Sequence, residues 1–302
     1  MTSLNPLISV LMPVYNGEKF IKESIESILS QTFIDFEFLI IDDCSSDTSS
    51  NIIMSYGDPR IKFFSNKNNI GQTKALNKGI SLASGKYIAR IDQDDLYKKN
   101  HLSKKIEIAS KFNFDVIGNW SFGINQKNKI IKKIEHPIKN KQIKDSLIIS
   151  QPFTHSALFI KKSSLIKVNK YPEDIQISMD YALLVNLAKE GSRFHNIPEY
   201  LSLIRYHEKS TSYKNKFKIE KEIFYIQKKT KVFNSKVKIY NAIQFYRILR
   251  LCKFLPKNFS EVSKILKNEL RLNYFFHFIY ISILILFKSN KVIIPTRLTK
   301  VE

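Results

Sequence analysis

Lys86-Tyr87-Ile88-Ala89-Arg90-Ile91-Asp92-Gln93-Asp94-Asp95 decides how this chain is read. A β-prone apolar run from Tyr87 to Ile91 ends in three carboxylates within four residues. Carboxylates so close repel one another and resist burial. They need a cation, a hydrogen-bonding ligand or open solvent. A strand that delivers Asp-x-Asp at its C-terminal end suits two tasks at once: one carboxylate holds a ribose hydroxyl, and the other binds a divalent metal that clamps a diphosphate. The competing reading is a solvated acidic turn, because Asp-x-Asp alone is a common string.

The sequence on the N-terminal side supplies the scaffold. Leu7 to Val14 reads as a buried strand closed by Pro13, and Asn16 is placed to cap the helix that follows, with Glu18 in its first turn. Ile21, Ile25, Ile28 and Leu29 share one helical face. Phe36 to Ile41 is a second strand, and Ser45, Ser46 and Asp47 offer capping chemistry for a helix over Thr48 to Tyr56. Ile61 to Ser65, Ala75 to Ala83 and Lys86 to Ile91 continue as strand, helix, strand. Such alternation predicts parallel βαβ units with right-handed crossovers and a ligand at the C-terminal sheet edge. Asn16, Asp43 and Asp92 each follow a strand and should meet there.

The middle is less regular. Helices are expected at Leu102 to Lys111, Ile143 to Ile149 and Asp180 to Glu190. Strands are expected at Asp115 to Phe122, Lys129 to Glu135 and Ser156 to Ile160.

The 302 residues carry a net charge of +22, unevenly placed. From Arg205 onward there are 22 Lys/Arg against 6 Asp/Glu, whereas the preceding residues hold 27 against 21. A nearly balanced half therefore joins a basic tail suited to an anionic partner. The tail reads as helical from Phe217 to about Phe287, and Tyr274 to Phe287 has 12 apolar residues in 14. Fourteen helical residues span about 21 Å, short of the roughly 30 Å hydrocarbon core. An interfacial helix flanked by Arg271, Lys288 and Lys291, or a core helix, fits better than a membrane span. Two cysteines, Cys44 and Cys252, make no disulfide framework. With no signal-peptide pattern at Met1 to Pro6, the expected location is the cytoplasm, peripheral on the cytoplasmic membrane face.

Several segments, taken in order, resemble glycosyltransferase family 2, the inverting nucleotide-sugar transferases. They are Ile8 to Gly17, Ser27 to Phe33, Phe36 to Asp47, Asn69 to Gly71 with Ala75 to Gly79, and Ala83 to Asp95. His155, Met179-Asp180-Tyr181 and Leu203 to His207 follow. The resemblance implies an α/β GT-A fold: a Rossmann-like, mostly parallel sheet flanked by helices, with a helical basic C-terminal extension. It implies a catalytic domain over residues 1–212, with a nucleotide-sugar half to about 98 and an acceptor half over 99–212. The extension then covers 213–302.

By the same resemblance, Pro13 and Tyr15 line the nucleotide pocket beside Asn16, and Asp43 accepts a hydrogen from the base. Asp92 holds the ribose. Lys74 and Arg90 meet the diphosphate or neighbouring carboxylates. Asp94, with His207, holds Mn2+ or Mg2+, and Asp180 is the catalytic base. His155 and Arg205 belong to the acceptor or diphosphate region. Plainer roles stand beside these: a stiff turn for Pro13, helix capping for Asp43 and Asp180, and surface charge for Lys74. The chain departs from the family pattern at Met179, where Glu is usual, and at Leu183-Leu184, where Trp is usual.

The resemblance implies a donor linked to uridine diphosphate and a glycan acceptor; the basic tail beside the aromatic run points to an anionic membrane surface as partner, where a lipid-linked acceptor would sit, and so to cell-surface polysaccharide or lipooligosaccharide assembly. Two other readings compete: a silent nucleotide-sugar binder, which Met179 favours, and a nucleic-acid-binding protein, which the charge alone prompts. No recognised nucleic-acid motif accompanies the basic residues, so no nucleic-acid partner is expected.

Overall fold

The computed structural model describes residues 6–147, 150–208 and 215–230. The chain divides into two compact units, residues 1–237 and 238–302, and every described residue belongs to the first. The boundary expected at 212/213 lies outside the described residues. Tyr274 to Phe287, the apolar run of the tail, lies outside the described residues.

The first half follows the predicted alternation. Strands β1 (Ile8–Val14), β2 (Phe36–Asp42), β3 (Ile61–Ser65) and β4 (Tyr87–Arg90) alternate with helices α1 (Ile21–Leu29), α2 (Ser49–Met54) and α3 (Gln72–Leu82). All four strands run parallel, with β1 between β2 and β4. Every residue of β1 and β2 is buried, because helices cover both faces of this part of the sheet. Leu11, Leu39 and Ile41 pack with Leu76 and Ile80 of α3. Val10, Met12, Phe38 and Ile40 pack with Ile21, Ile25 and Ile28 of α1 on the other side. Pro13 is tolerated in this central strand because the β4 ladder ends at Leu11–Arg90, so Pro13 removes no bond to β4.

The second half is mixed. It comprises β5 (Leu96–Tyr97), α4 (His101–Lys111), the hairpin β6 (Val116–Ile124) and β7 (Ile130–Ile134), and α5 (Asn140–Leu147). A 3-10 turn (His155–Ala157), β8 (Phe159–Lys161) and α6 (Lys162–Lys167) follow, then α7 (Met179–Lys189), β9 (Phe194–Arg205) and α8 (Lys216–Thr230). Among the described residues nine strands form one sheet, ordered β3-β2-β1-β4-β8-β6-β9-β5, with β7 also on β6. Antiparallel β8 joins the two halves, from β4 on one side to β6 on the other.

Three local expectations change. Asn16 does not cap α1: it sits at φ +50° with its side-chain oxygen on the Ser46 amide at 2.8 Å, and α1 begins at Ile21. The strand expected over Ser156 to Ile160 begins only at Phe159, because His155–Ala157 coil into a turn. The twelve-residue β9 was not foreseen, since Pro198 and register shifts opposite Trp120 break its alternation. Among the described residues no helix is long and apolar enough to cross a membrane.

Candidate active site

The acidic cluster forms where β4 ends. One oxygen each from Asp92, Asp94 and Asp95 lie within 4.8 Å of one another. Their surroundings divide their tasks. Asp92 is gripped by both terminal nitrogens of Arg90, whose side chain is 2% exposed. Arg90 therefore meets a neighbouring carboxylate and not the open site; the direct diphosphate contact offered to it is replaced by an action through Asp92. Gln72 at the start of α3 reaches Asp92 Oδ1 at 3.2 Å. Asp95 is buried and accepts the Arg205 backbone N–H at 2.8 Å. Burial pushes the Asp95 carboxyl well above its usual range, and Asp94 and Asp92 push it further. Asp94 stays partly open and bonds His207 Nε2 through Oδ2 at 2.8 Å. This carboxylate-rich set with one imidazole, all oxygen and nitrogen donors, fits a hard divalent cation.

Arg205 lies beneath this cluster and not in a diphosphate pocket. Its guanidinium donates to the Asp94 carbonyl, to Asn128 Oδ1 and to Glu23 on α1, at 2.8, 2.6 and 2.9 Å. The side chain is fully buried and covers the Phe20 ring. Those bonds commit Arg205 to bracing the Asp94 loop against α1 and the β6–β7 hairpin.

The β1 and β2 ends build a second wall. Tyr15 projects with 49% of its surface exposed, while its backbone N–H and C=O are both held by the Gln93 amide, at 2.8 and 3.0 Å. Gln93 is the middle residue of the Asp-x-Asp string, and a Cβ at Gly17 would come within 2.6 Å of it. The string thus anchors the β1 loop as well as presenting carboxylates. Asp43 is buried and accepts from Asn66 Nδ2 and from the Ile70 and Gly71 amides, at 2.9, 2.9 and 2.8 Å. It organises the loop leading into α3, leaving capacity on Oδ2 for one further donor. The helix-capping duty falls to Asp47, which accepts the Ser49 amide at 2.9 Å. Lys74 is exposed in the first turns of α3, two residues beyond Gln72.

The opposite wall carries Asp180 in the first turn of α7. Its carboxylate accepts Gln151 Nε2 and the Tyr181 amide, both at 2.7 Å. Burial raises its pKa above the usual range, against those hydrogen bonds and nearby Arg90, which lower it. His155 Nδ1 stands 3.9 Å from Asp180, and its Nε2 meets the Tyr171 hydroxyl at 2.9 Å. Burial, with Arg90 nearby, pushes the imidazole well below its ordinary pKa, so His155 is neutral near pH 7.

The same 3-10 turn supplies Ser156, whose Oγ accepts the Asp92 N–H at 2.9 Å and which also bonds Asp95. Sequence reasoning missed Ser156, Gln151 and Gln93. Gln93 alone carried a local signal, its place between two aspartates. Met179 is buried in the apolar core with Leu183 and Leu184, so no side chain of those three faces the site as a polar group.

A Rossmann-like half-sheet that ends in a metal-compatible aspartate cluster, facing a helix-borne carboxylate from a mixed half, defines the GT-A class of nucleotide-sugar-dependent glycosyltransferases. The model of the family described as "Glycosyl transferase family 2" matches residues 9–168. The chain belongs to that family. It is 33% identical over 222 residues to an uncharacterized glycosyltransferase of Methanocaldococcus jannaschii, covering 72% of this chain and 76% of the relative. It is 34% identical over 181 residues to the UDP-Glc:alpha-D-GlcNAc-diphosphoundecaprenol beta-1,3-glucosyltransferase of Escherichia coli, covering 54% of this chain and 71% of that one. The fold is shared with a Pyrobaculum calidifontis mannosyltransferase in complex with GDP-Man and Mn2+. That match has a TM-score of 0.61 at 14% identity, over 96% of this chain and 89% of the other.

Proposed function

We propose that this glycosyltransferase moves a sugar from a uridine-diphosphate donor to a hydroxyl of a glycan or lipid-linked acceptor with inversion at the anomeric carbon, and that it serves cell-surface glycan assembly. One observation carries the reading. A single 3-10 turn touches both partners of an inverting displacement: Ser156 bonds the Asp92 amide at 2.9 Å, and His155 approaches Asp180 to 3.9 Å.

The roles follow from placement. Asp92, fixed by Arg90 and Ser156, has its outer edge available for ribose hydroxyls. Tyr15 offers an exposed ring to the base, with Pro13, Asn16 and Asp43 shaping the wall behind it. Lys74 is the exposed cation for the diphosphate. Asp94 and His207 are the groups that would hold Mn2+ or Mg2+. A bound divalent ion supplies Lewis-acid neutralisation of the departing diphosphate. Asp180, oriented by Gln151, takes the proton from the acceptor hydroxyl as that oxygen attacks the anomeric carbon. Its raised pKa strengthens it as a base. One displacement needs no second carboxylate nucleophile.

The uridine assignment and the lipid-linked acceptor draw support from the Escherichia coli relative, a UDP-Glc-dependent glucosyltransferase acting on a diphosphoundecaprenol-linked sugar. The basic tail supports a peripheral place on an anionic membrane surface, facing the cytoplasm. The test is donor hydrolysis by the purified chain with Mn2+ across a panel of uridine-diphosphate sugars, beside Asp94→Ala. Metal-dependent release from one donor, lost in Asp94→Ala, is expected. If calorimetry detects no metal-dependent nucleotide binding, the reading fails. The membrane part is tested by deleting residues 274–302, which should release the protein from anionic vesicles.

A further inference from the structure

Helix α7 begins without a cap of its own. Ser178 stands at the N-cap position, and its side chain makes no capping bond. The first turn of a helix leaves backbone N–H groups that need acceptors. Within the first turn Asp180 accepts the Tyr181 amide, and the N-cap amide of Ser178, with that of Ile177 before it, finds its acceptor on α8, more than forty residues later in the chain. Glu222 Oε2 accepts the Ile177 N–H at 3.0 Å and the Ser178 N–H at 2.7 Å. These two residues immediately precede Met179 and Asp180.

We propose that Glu222 is a positioning residue for the candidate base Asp180, supplied by a helix that lies beyond the family-matched region. The proposal rests on the reading of Asp180 given above. Among the described residues the Asp180 carboxylate accepts hydrogen bonds from Gln151 and from the amide of Tyr181 in its own helix. Its location therefore depends on where the first turn of α7 sits. A carboxylate at that end satisfies the amides and meets the positive end of the helix dipole.

The rest of α8 holds the same region. Gln227, fully buried, donates to the Tyr181 hydroxyl at 2.9 Å. Lys229 Nζ reaches Asp174 at 3.0 Å, and Lys218 reaches Gln176, so both charged ends of α8 fasten the loop leading into α7. Ile223, Phe224 and Ile226 are buried between them. Met179 points into the core, so the carboxylate that serves the entry to α7 comes from Glu222 and not from position 179.

The experiment uses the full chain as wild type, Glu222→Ala, Glu222→Gln and Asp180→Asn. Amide hydrogen exchange over residues 175–184 reads the cap directly. Turnover of the uridine-diphosphate sugar gives kcat and KM, and calorimetry gives the affinity for UDP with Mn2+. In Glu222→Ala, exchange should accelerate and kcat should fall about 10- to 100-fold, the scale of a small misplacement of a catalytic group. Donor KM and UDP affinity should stay within about twofold, since no donor-site group has moved. Gln keeps an oxygen that accepts both amides, so Glu222→Gln should recover kcat to within about threefold of wild type.

Unchanged exchange in Glu222→Ala, wild-type kcat despite faster exchange, or a kcat loss matched by lost UDP affinity each overturns the proposal. If Asp180→Asn is inactive while Glu222→Ala turns over at the wild-type rate, positioning fails and the base assignment stands. If Asp180→Asn turns over normally, the base assignment fails, and exchange still reports whether Glu222 caps α7.

Discussion

Replacing Arg90 by Met isolates the buried charge that the acidic cluster depends on. Arg90 is 2% exposed and chelates Asp92, whose side chain is 30% exposed. Met keeps much of the arginine stem's volume and leaves Asp92 without its cation. Removing one partner of a fully buried pair costs about 3–5 kcal/mol. Asp92 retains some water contact and the Gln72 and Ser156 bonds around it, so we expect about 2–4 kcal/mol at pH 7.

The loss should depend on pH. Burial first, and then Asp94, already hold the Asp92 pKa above its usual value while Arg90 opposes them. Removing Arg90 raises it further. A carboxylate with a raised folded pKa contributes stability fully present below its unfolded pKa of about 3.9, and this is lost as pH rises through the folded value. The deficit of Arg90→Met should therefore be greatest at neutral pH and should shrink on acidification through the raised Asp92 pKa.

Urea unfolding at several pH values measures this from the midpoint and slope. Arg90→Met/Asp92→Asn, which removes both charges, should lie within about 1 kcal/mol of wild type at pH 7. A single-variant loss below about 0.5 kcal/mol, or one that does not shrink on acidification, would refute the argument that a desolvated Asp92 charge is what Arg90 compensates.

Other outcomes follow from the same geometry. Asp180→Asn should lower kcat about 10²- to 10⁴-fold while calorimetry finds UDP binding intact; equal losses in both would remove Asp180 from the base role. Because burial raises the Asp180 pKa, kcat/KM should decline on the acid side through an apparent pKa above the ordinary aspartate value of about 3.9; a limb at or below that value contradicts the desolvated placement. Gly85→Ala puts a Cβ 2.4 Å from the Ser9 backbone nitrogen, which cannot retreat as a side chain would, and should cost at least about 2 kcal/mol in urea unfolding. Gly57→Ala meets nothing within 4 Å and should stay within about 0.5 kcal/mol of wild type. His207→Ala should weaken Mn2+-dependent UDP binding about tenfold and leave metal-free binding unchanged, as read by calorimetry.

The sequence determined the first half of the fold because its signals are local. β1 and β2 are uninterrupted apolar runs, α1 has its isoleucines on one face, and the Asp-x-Asp string ends a strand where water or a ligand must receive it. Asp92, Asp94, Asp180 and His207 were readable as residues of interest for the same reason, since a carboxylate or imidazole at an element boundary is visible without coordinates.

Tertiary structure decided which of the charged groups face the site. Arg90 and Arg205 look alike in the sequence, as basic residues near aspartates. Only folding reveals that each is buried and committed, Arg90 to Asp92 and Arg205 to Glu23, Asn128 and the Asp94 carbonyl. Ser156 and Gln151 carry no motif; they matter because β8 brings their segment against β4 and α7. Glu222 sits in a lysine-rich tail that read as an appendage, yet its carboxylate completes the start of α7. Periodicity reports the face a residue takes within its own element. The partner it meets across tens of residues depends on how elements pack, and at this site that packing sets the position of Asp180.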